Sequence, residues 1–291
     1  MTDTPPPLTM PNGIILVDQG HTGNILEKDR RSHSPEAVLK VLKERTSNRE
    51  IYPEYKKSIW DCEDFAFLAA SEVRCFFPGQ PVGILVGEAV NIPKIKAGEI
   101  HAINVLWFEK DEGGRKTWYS EYFDATTSSR LEPGCIKTEM IIALPILASQ
   151  DEALHTRIEP FNDNNHPFLP TAAFELDTEY NMDKNEMDKV IQTLQKKNSI
   201  ERCPKSMNNP WWTPNDKAFW WFSHIRKIHM GVPVGVAFGF AVDRQSHEKF
   251  EYCSLVVWDR DDNCRYWDID ARDYSDSDRL QFDFTPRIII V

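Results

Sequence analysis

A cysteine, a histidine and an aspartate stand in this chain in a context that suits thiol chemistry. Cys62 lies in Trp60-Asp61-Cys62-Glu63-Asp64-Phe65, His101 opens His101-Ala102-Ile103-Asn104-Val105, and Asp124 ends Trp118-Tyr119-Ser120-Glu121-Tyr122-Phe123-Asp124. The thiolate is the nucleophile of cysteine chemistry, and a helix N-terminus and a nearby imidazolium both lower a thiol pKa. Asp61 suits an N-cap and Asp64 the capping-box position, which starts a helix at Cys62. Asp124 would accept from the His101 ring and fix its tautomer. The chemistry is acyl transfer. Cys62 attacks a carbonyl, His101 takes and returns the proton, and water or an amine resolves the thioester. The oxyanion needs backbone N–H groups, that of Cys62 included, and one side-chain donor.

The flanking patterns supply elements to hold these groups. A helix is expected from about Ser34 to Glu44. A second starts near Asp61, with Phe65, Leu68, Ala69 and Val73 on one face, and Phe76-Phe77-Pro78-Gly79 stops it. Pro81 to Val90, His101 to Glu109 and Lys116 to Thr126 read as strands, and Ile136 to Leu147 as a fourth interrupted by Pro145. Asp111-Glu112-Gly113-Gly114 is a turn signal. Centred between Glu112 and Gly113, it pairs residues whose numbers sum to 225, which sets His101 directly opposite Asp124. A one-residue slip would part their faces. Helices on a mostly antiparallel sheet make an α+β domain.

The chain also compares with itself. Pro81-Val82-Gly83-Ile84-Leu85-Val86-Gly87 matches Pro233-Val234-Gly235-Val236-Ala237-Phe238-Gly239 at an offset of 152 (233 − 81). The same offset sets Asp64, Ala66 and Phe67 on Asp216, Ala218 and Phe219, and Asp124-Ala125 matches Asp270-Ala271 across a shorter turn. Blocks in one order favour two tandem domains of ordinary size, over 1–148 and 149–291. In the second copy Cys62 maps to Pro214 and His101 to Tyr252, so the nucleophile and base are lost. Proline suits a first helical turn, and the framework survives.

Composition narrows the function. The chain has 291 residues and a net charge of −11, without the positive footprint of a nucleic-acid binder. No apolar run reaches membrane-spanning length. The start, Met1-Thr2-Asp3-Thr4-Pro5-Pro6-Pro7, does not read as a signal peptide. Six cysteines without a C-x-x-C pair argue against a zinc site or a dense disulfide scaffold. A reducing, cytoplasmic setting with free thiols is expected.

Plain explanations compete. A helical cysteine is commonly a small buried hydrophobe, and acids turned inward beside Cys62 would raise its pKa. Trp220 and Trp258 suit a core. Trp60, Trp211 and Trp212, next to the two helix starts, are the candidate substrate contacts. Asp259 to Asn263 reads as a solvated turn, since Cys264 stands where an EF-hand needs glycine.

The Asp-Cys-Glu-Asp-Phe-Ala block, the His-Ala-Ile-Asn-Val strand and the run ending at Asp124 together resemble the papain-like and transglutaminase-like cysteine peptidases. Within them they are most similar to the C-terminal protease domain of mushroom chimerolectins. The resemblance covers roughly residues 34–145. It implies Cys62 as nucleophile, His101 as base and Asp124 as its orienter, acting on a peptide or protein. Two departures stand out. The papain-type glutamine before the cysteine is replaced by Tyr55, Lys56, Lys57 and Ser58, which leaves the oxyanion donor unassigned. No sugar-binding repeats precede the domain. The mushroom members depend on calcium, which makes calcium the one cofactor implied, without assigned ligands. The reading is a thiol peptidase with a pseudo-enzyme second domain. The alternatives are a transglutaminase-type transferase and a non-catalytic binding or scaffold protein.

Overall fold

The computed structural model of the chain describes residues 14–15, 32–57, 59–144, 172–174, 184–195, 214–232, 234–243, 245–247, 249–258, 264–267 and 282–290. Its elements begin with β1 (Ile14–Ile15), α1 (Pro35–Thr46), α2 (Cys62–Phe76), β2 (Val82–Ala89), β3 (Ile100–Glu112), β4 (Arg115–Asp124), β5 (Ser129–Leu131) and β6 (Ile136–Leu144). They continue with β7 (Ala172–Phe174), α3 (Lys184–Gln195), α4 (Pro214–Ile228), β8 (Val234–Asp243), β9 (Lys249–Trp258), β10 (Cys264–Trp267) and β11 (Phe282–Ile290). The architecture is α+β, with a few helices and mostly antiparallel sheets. No helix among the described residues is long and apolar enough to cross a membrane. The chain divides into two compact units, one of residues 1–55, 60–146 and 203–216, the other of 56–59, 147–202 and 217–291.

In the first unit, α1 starts where Ser34 accepts from the Ala37 amide and proline follows the cap. It buries Val38, Leu42 and Thr46. In α2, Asp61 accepts from the Glu63 amide while Asp64 accepts from the Asp61 amide, so the helix begins at Cys62. A single apolar face was expected for α2. Instead nearly the whole helix is buried, from Asp64 to Cys75. Alanines at 66, 69 and 70 let neighbours close in on every side, the pattern of a core helix. The buried Glu72 carboxylate of α2 is partnered. Glu72 accepts from Arg45 Nε at 2.8 Å and from Tyr52 Oη at 3.0 Å.

The first sheet has the order β1-β6-β2-β3-β4-β5, with β1 parallel to β6 and the other pairs antiparallel. Asn104 Nδ2 donates to the Ala66 carbonyl at 2.8 Å, which sets the Asn104 side of β3 against α2. Ile103 and Val105 point the other way and pack with Leu85, Leu131 and Cys135.

The β3–β4 register corrects the expected one. Glu112 pairs with Arg115 and Asn104 with Phe123, so paired numbers sum to 227 rather than 225. The cause is the turn. Gly113 and Gly114 both have positive φ, 68° and 91°, and together form the two-residue loop that a tight hairpin prefers. His101 is therefore not directly opposite Asp124. A shift of two preserves facing, because side chains alternate with period two.

The second unit contains β7–β11 and most of α4. Its sheet has the order β10-β9-β8-β11-β7, with β7 parallel to β11. Its helix α4 has 15 residues, as α2 does. Gly239 pairs with Tyr252 in the β8–β9 ladder, as Gly87 pairs with His101 in β2–β3. Trp220 is buried, in keeping with a core role. Trp211, Trp212, Asp270 and the 259–263 turn lie outside the described residues.

Candidate active site

Cys62 is the first residue of α2 and is 8% exposed. Burial, and then the carboxylates of Glu63 and Asp61, push its thiol well above the usual cysteine range. Amide hydrogen bonding from Ala102 and from its own N–H opposes the rise without overcoming it. This corrects the expectation of a lowered thiol pKa. Burial first, and then the two neighbouring carboxylates, outweigh the amides that face the sulfur.

His101 and Asp124 come together. His101 Nε2 lies 3.3 Å from Asp124 Oδ1, and both side chains are almost wholly buried. The contact is diagonal across the strand pair, as the two-residue shift requires. It is close but not aligned as a hydrogen bond, and Nε2 has no other partner. Asp124 Oδ1 also accepts from the Thr126 amide at 2.9 Å, and Oδ2 from Thr127 Oγ1 at 2.7 Å. Burial alone would push the Asp124 carboxyl up. The imidazole and the two threonine donors outweigh it and hold the carboxyl below its ordinary range.

The structure brings Cys62 to the peptide beside His101 rather than to the ring. The amide of Ala102 faces the sulfur, and no hydrogen bond links Cys62 with His101 among the described residues. Alternation explains why. The β2–β3 ladder runs unbroken from Ile100 to Leu106. Asn104 faces α2, so His101, three residues earlier, faces the opposite side. Thiol and imidazole approach the start of β3 from its two sides.

Trp60 does not fit the role of substrate contact. It is fully buried, its ring 5.8 Å from that of Phe65, and its indole N–H has no partner. Thr126 and Thr127 were missed by sequence reasoning, although an Asp two residues before a turn amide is a known local signal. Tyr55 was missed as well. It is 44% exposed, and its ring lies 6.4 Å from that of Phe65.

One ligand atom each from Asp61, Cys62 and Glu63 lies within 4.8 Å of the others. Calcium takes six to eight oxygens. Two carboxylates and a sulfur, with one carboxylate already capping the helix, do not fit the calcium that the resemblance implies. Cys62, Cys135 and Cys253 form no disulfide, but Cys75 is disulfide-bonded. That departs from the expected free thiols of a reducing interior. Compared with known families, curated proteins and solved structures, the chain matches none.

Proposed function

We propose that the chain is a tandem pair of papain-like domains whose first copy is a cysteine hydrolase acting on peptide bonds. The observation that carries this reading is the buried His101–Asp124 pair, set one peptide away from a cysteine at a helix start. A buried carboxylate with two further donors is a costly arrangement, and it suits a device for orienting an imidazole. The equal helices α2 and α4 and the matched Gly–ring ladder positions support the duplication.

In the proposed reaction the Cys62 sulfur attacks the scissile carbonyl carbon while His101 removes its proton. The carbonyl π electrons move to oxygen. Collapse re-forms C=O, breaks the C–N bond, and His101 protonates the departing amine. Water, deprotonated by His101, then cleaves the thioester and frees Cys62. The raised thiol pKa makes His101 a general base in the attack itself, rather than half of a resting ion pair. Ring and sulfur lie on opposite sides of the start of β3, so in this reaction the proton passes between them around the strand edge through one water.

A specific observation favours a second reading, a non-catalytic binding protein on the same fold. The thiol is pushed up and has no hydrogen bond to the histidine. The two separate by incubating wild type, Cys62→Ser and His101→Ala with a peptide library, with and without a primary amine. Cleavage by wild type alone supports the peptidase. Amine adducts in place of cleavage would make it a transferase. Turnover that survives Cys62→Ser, or no turnover by any form, would overturn the catalytic reading.

A further inference from the structure

We infer that Tyr55 supplies the side-chain donor of the oxyanion hole, its hydroxyl acting with the backbone N–H of Cys62. This inference rests on the hydrolase reading and names a catalytic residue for it. A tetrahedral intermediate at Cys62 carries negative charge on the former carbonyl oxygen, and the protein must aim donors at that point. The Cys62 amide is one such donor. It lies in the first turn of α2, where N–H groups have no partner within the helix.

Tyr55 meets the requirements for the second. Its ring packs against Phe65, centroids 6.4 Å apart, and Phe65 is itself fixed among Tyr52 and Trp60 at 5.6 and 5.8 Å. Phe65 is three residues after Cys62, on the same side of the helix, so a ring resting on Phe65 stands beside the thiol. Tyr55 nonetheless remains 44% exposed, within reach of a substrate. Its hydroxyl makes no hydrogen bond among the described residues, whereas that of neighbouring Tyr52 is spent on Glu72. Partial burial, then the proximity of Cys62, Asp61, Glu63 and Glu99, push the phenol up to about 12. It therefore holds its proton at neutral pH, as a donor must. The acids that hinder thiolate formation thus keep the phenol protonated.

During attack the new C–S bond forms and the carbonyl electron pair moves to oxygen, which accepts from Tyr55 Oη–H and from the Cys62 N–H. Neither donor gives up its proton. When the intermediate collapses the pair returns and both contacts weaken.

Tyr55→Phe removes the hydroxyl and keeps the ring on Phe65. The test compares full-length wild type, Tyr55→Phe and Cys62→Ser in two reactions. One is acylation by p-nitrophenyl acetate, which passes through an oxyanion. The other is alkylation by iodoacetamide, which does not. Tyr55→Phe should slow acylation about 100-fold and change alkylation by less than about threefold, with unaltered melting. Equal acylation of wild type and Tyr55→Phe would overturn the inference and leave the hydrolase reading standing. Equal slowing of both reactions would also overturn it, since Tyr55 would then act on the thiol. Acylation that does not depend on Cys62 would sink the hydrolase reading itself.

Discussion

Replacing Glu63 by glutamine should make Cys62 more reactive. The Cys62 sulfur and a Glu63 carboxylate oxygen lie within 4.8 Å. Two unit charges at that separation interact by about 3.5 kcal/mol at an effective dielectric near 20, and by about 0.9 kcal/mol in bulk water. Those limits correspond to roughly 2.5 and 0.6 pH units. Glu63 is half-buried, so solvent screening moves the effect toward the lower limit, and about one unit is expected. Well below the thiol pKa, one unit raises the thiolate fraction about tenfold. The less basic thiolate is also a weaker nucleophile, with a Brønsted slope near 0.5, which returns about a factor of three. The net expectation is alkylation about threefold faster near pH 8.

The assay is iodoacetamide labelling of Cys62, followed by mass spectrometry of the intact protein and its Cys62 peptide across pH. Wild type should label slowly, with a midpoint above the free-thiol value of about 8.5. Glu63→Gln should shift that midpoint down while the helix start stays intact, because the cap is made by Asp61 and Asp64. A wild-type midpoint at or below the free-thiol value would refute the reasoning. So would a Glu63→Gln rate equal to wild type, which would mean that the carboxylate points away from the sulfur.

Asp124→Asn should cost about 2 kcal/mol at neutral pH, through the weakening of two charge-assisted hydrogen bonds. The folded Asp124 carboxyl lies below its ordinary 3.8. Its contribution is therefore present above about pH 4 and lost as pH falls through the folded value. Urea midpoints of the two proteins should converge in acid, and parallel pH curves would contradict this. Glu72→Ala should destabilise by about 3–5 kcal/mol, since it strands Arg45 and the buried Tyr52 hydroxyl, while Tyr52→Phe alone should cost about 1.5 kcal/mol. Chemical denaturation checks both, with equal losses counting against the network. Reduction with dithiothreitol should lower the melting temperature, because breaking the Cys75 disulfide removes about 2–4 kcal/mol. No change on reduction would mean that the bond is absent in solution.

The start of α2 was legible because its signals are local. A cap at Asp61 and a reciprocal acid at Asp64 fix the first turn whatever packs around it. The hairpin was legible to within two residues. Placing the turn between Glu112 and Gly113 treats one glycine as a strand residue, while positive φ at both makes them the loop. The error left facing intact, which is why His101 and Asp124 still meet. What escaped was tertiary. Nothing near Trp60 signals that it is drawn wholly into the core, or that Tyr55 comes to lie on Phe65. Alternation along β3 could have warned that His101 and Asn104 face apart, but only once it was known which of them touches α2.

The ladder positions of His101 and Tyr252 bear on whether the histidine has a merely structural task. Each ring stands opposite a glycine, Gly87 or Gly239. A glycine exposes its backbone, and a cross-strand ring can cover it, a pairing that also stabilises designed sheets. That need is met by any flat ring. If both copies share an origin, the position demands a ring and not an imidazole, and tyrosine suffices in one of them. Covering Gly87 therefore does not account for the histidine. Nor does it account for the carboxylate beside it, since Asp124 is almost wholly inaccessible and is held by two threonine donors. The carboxylate alone does not decide the matter, because the second copy keeps its counterpart Asp270 where the ring is a tyrosine. On the reading we propose, the task that calls for an imidazole and not merely a ring is proton transfer with Cys62, whose sulfur faces the Ala102 amide.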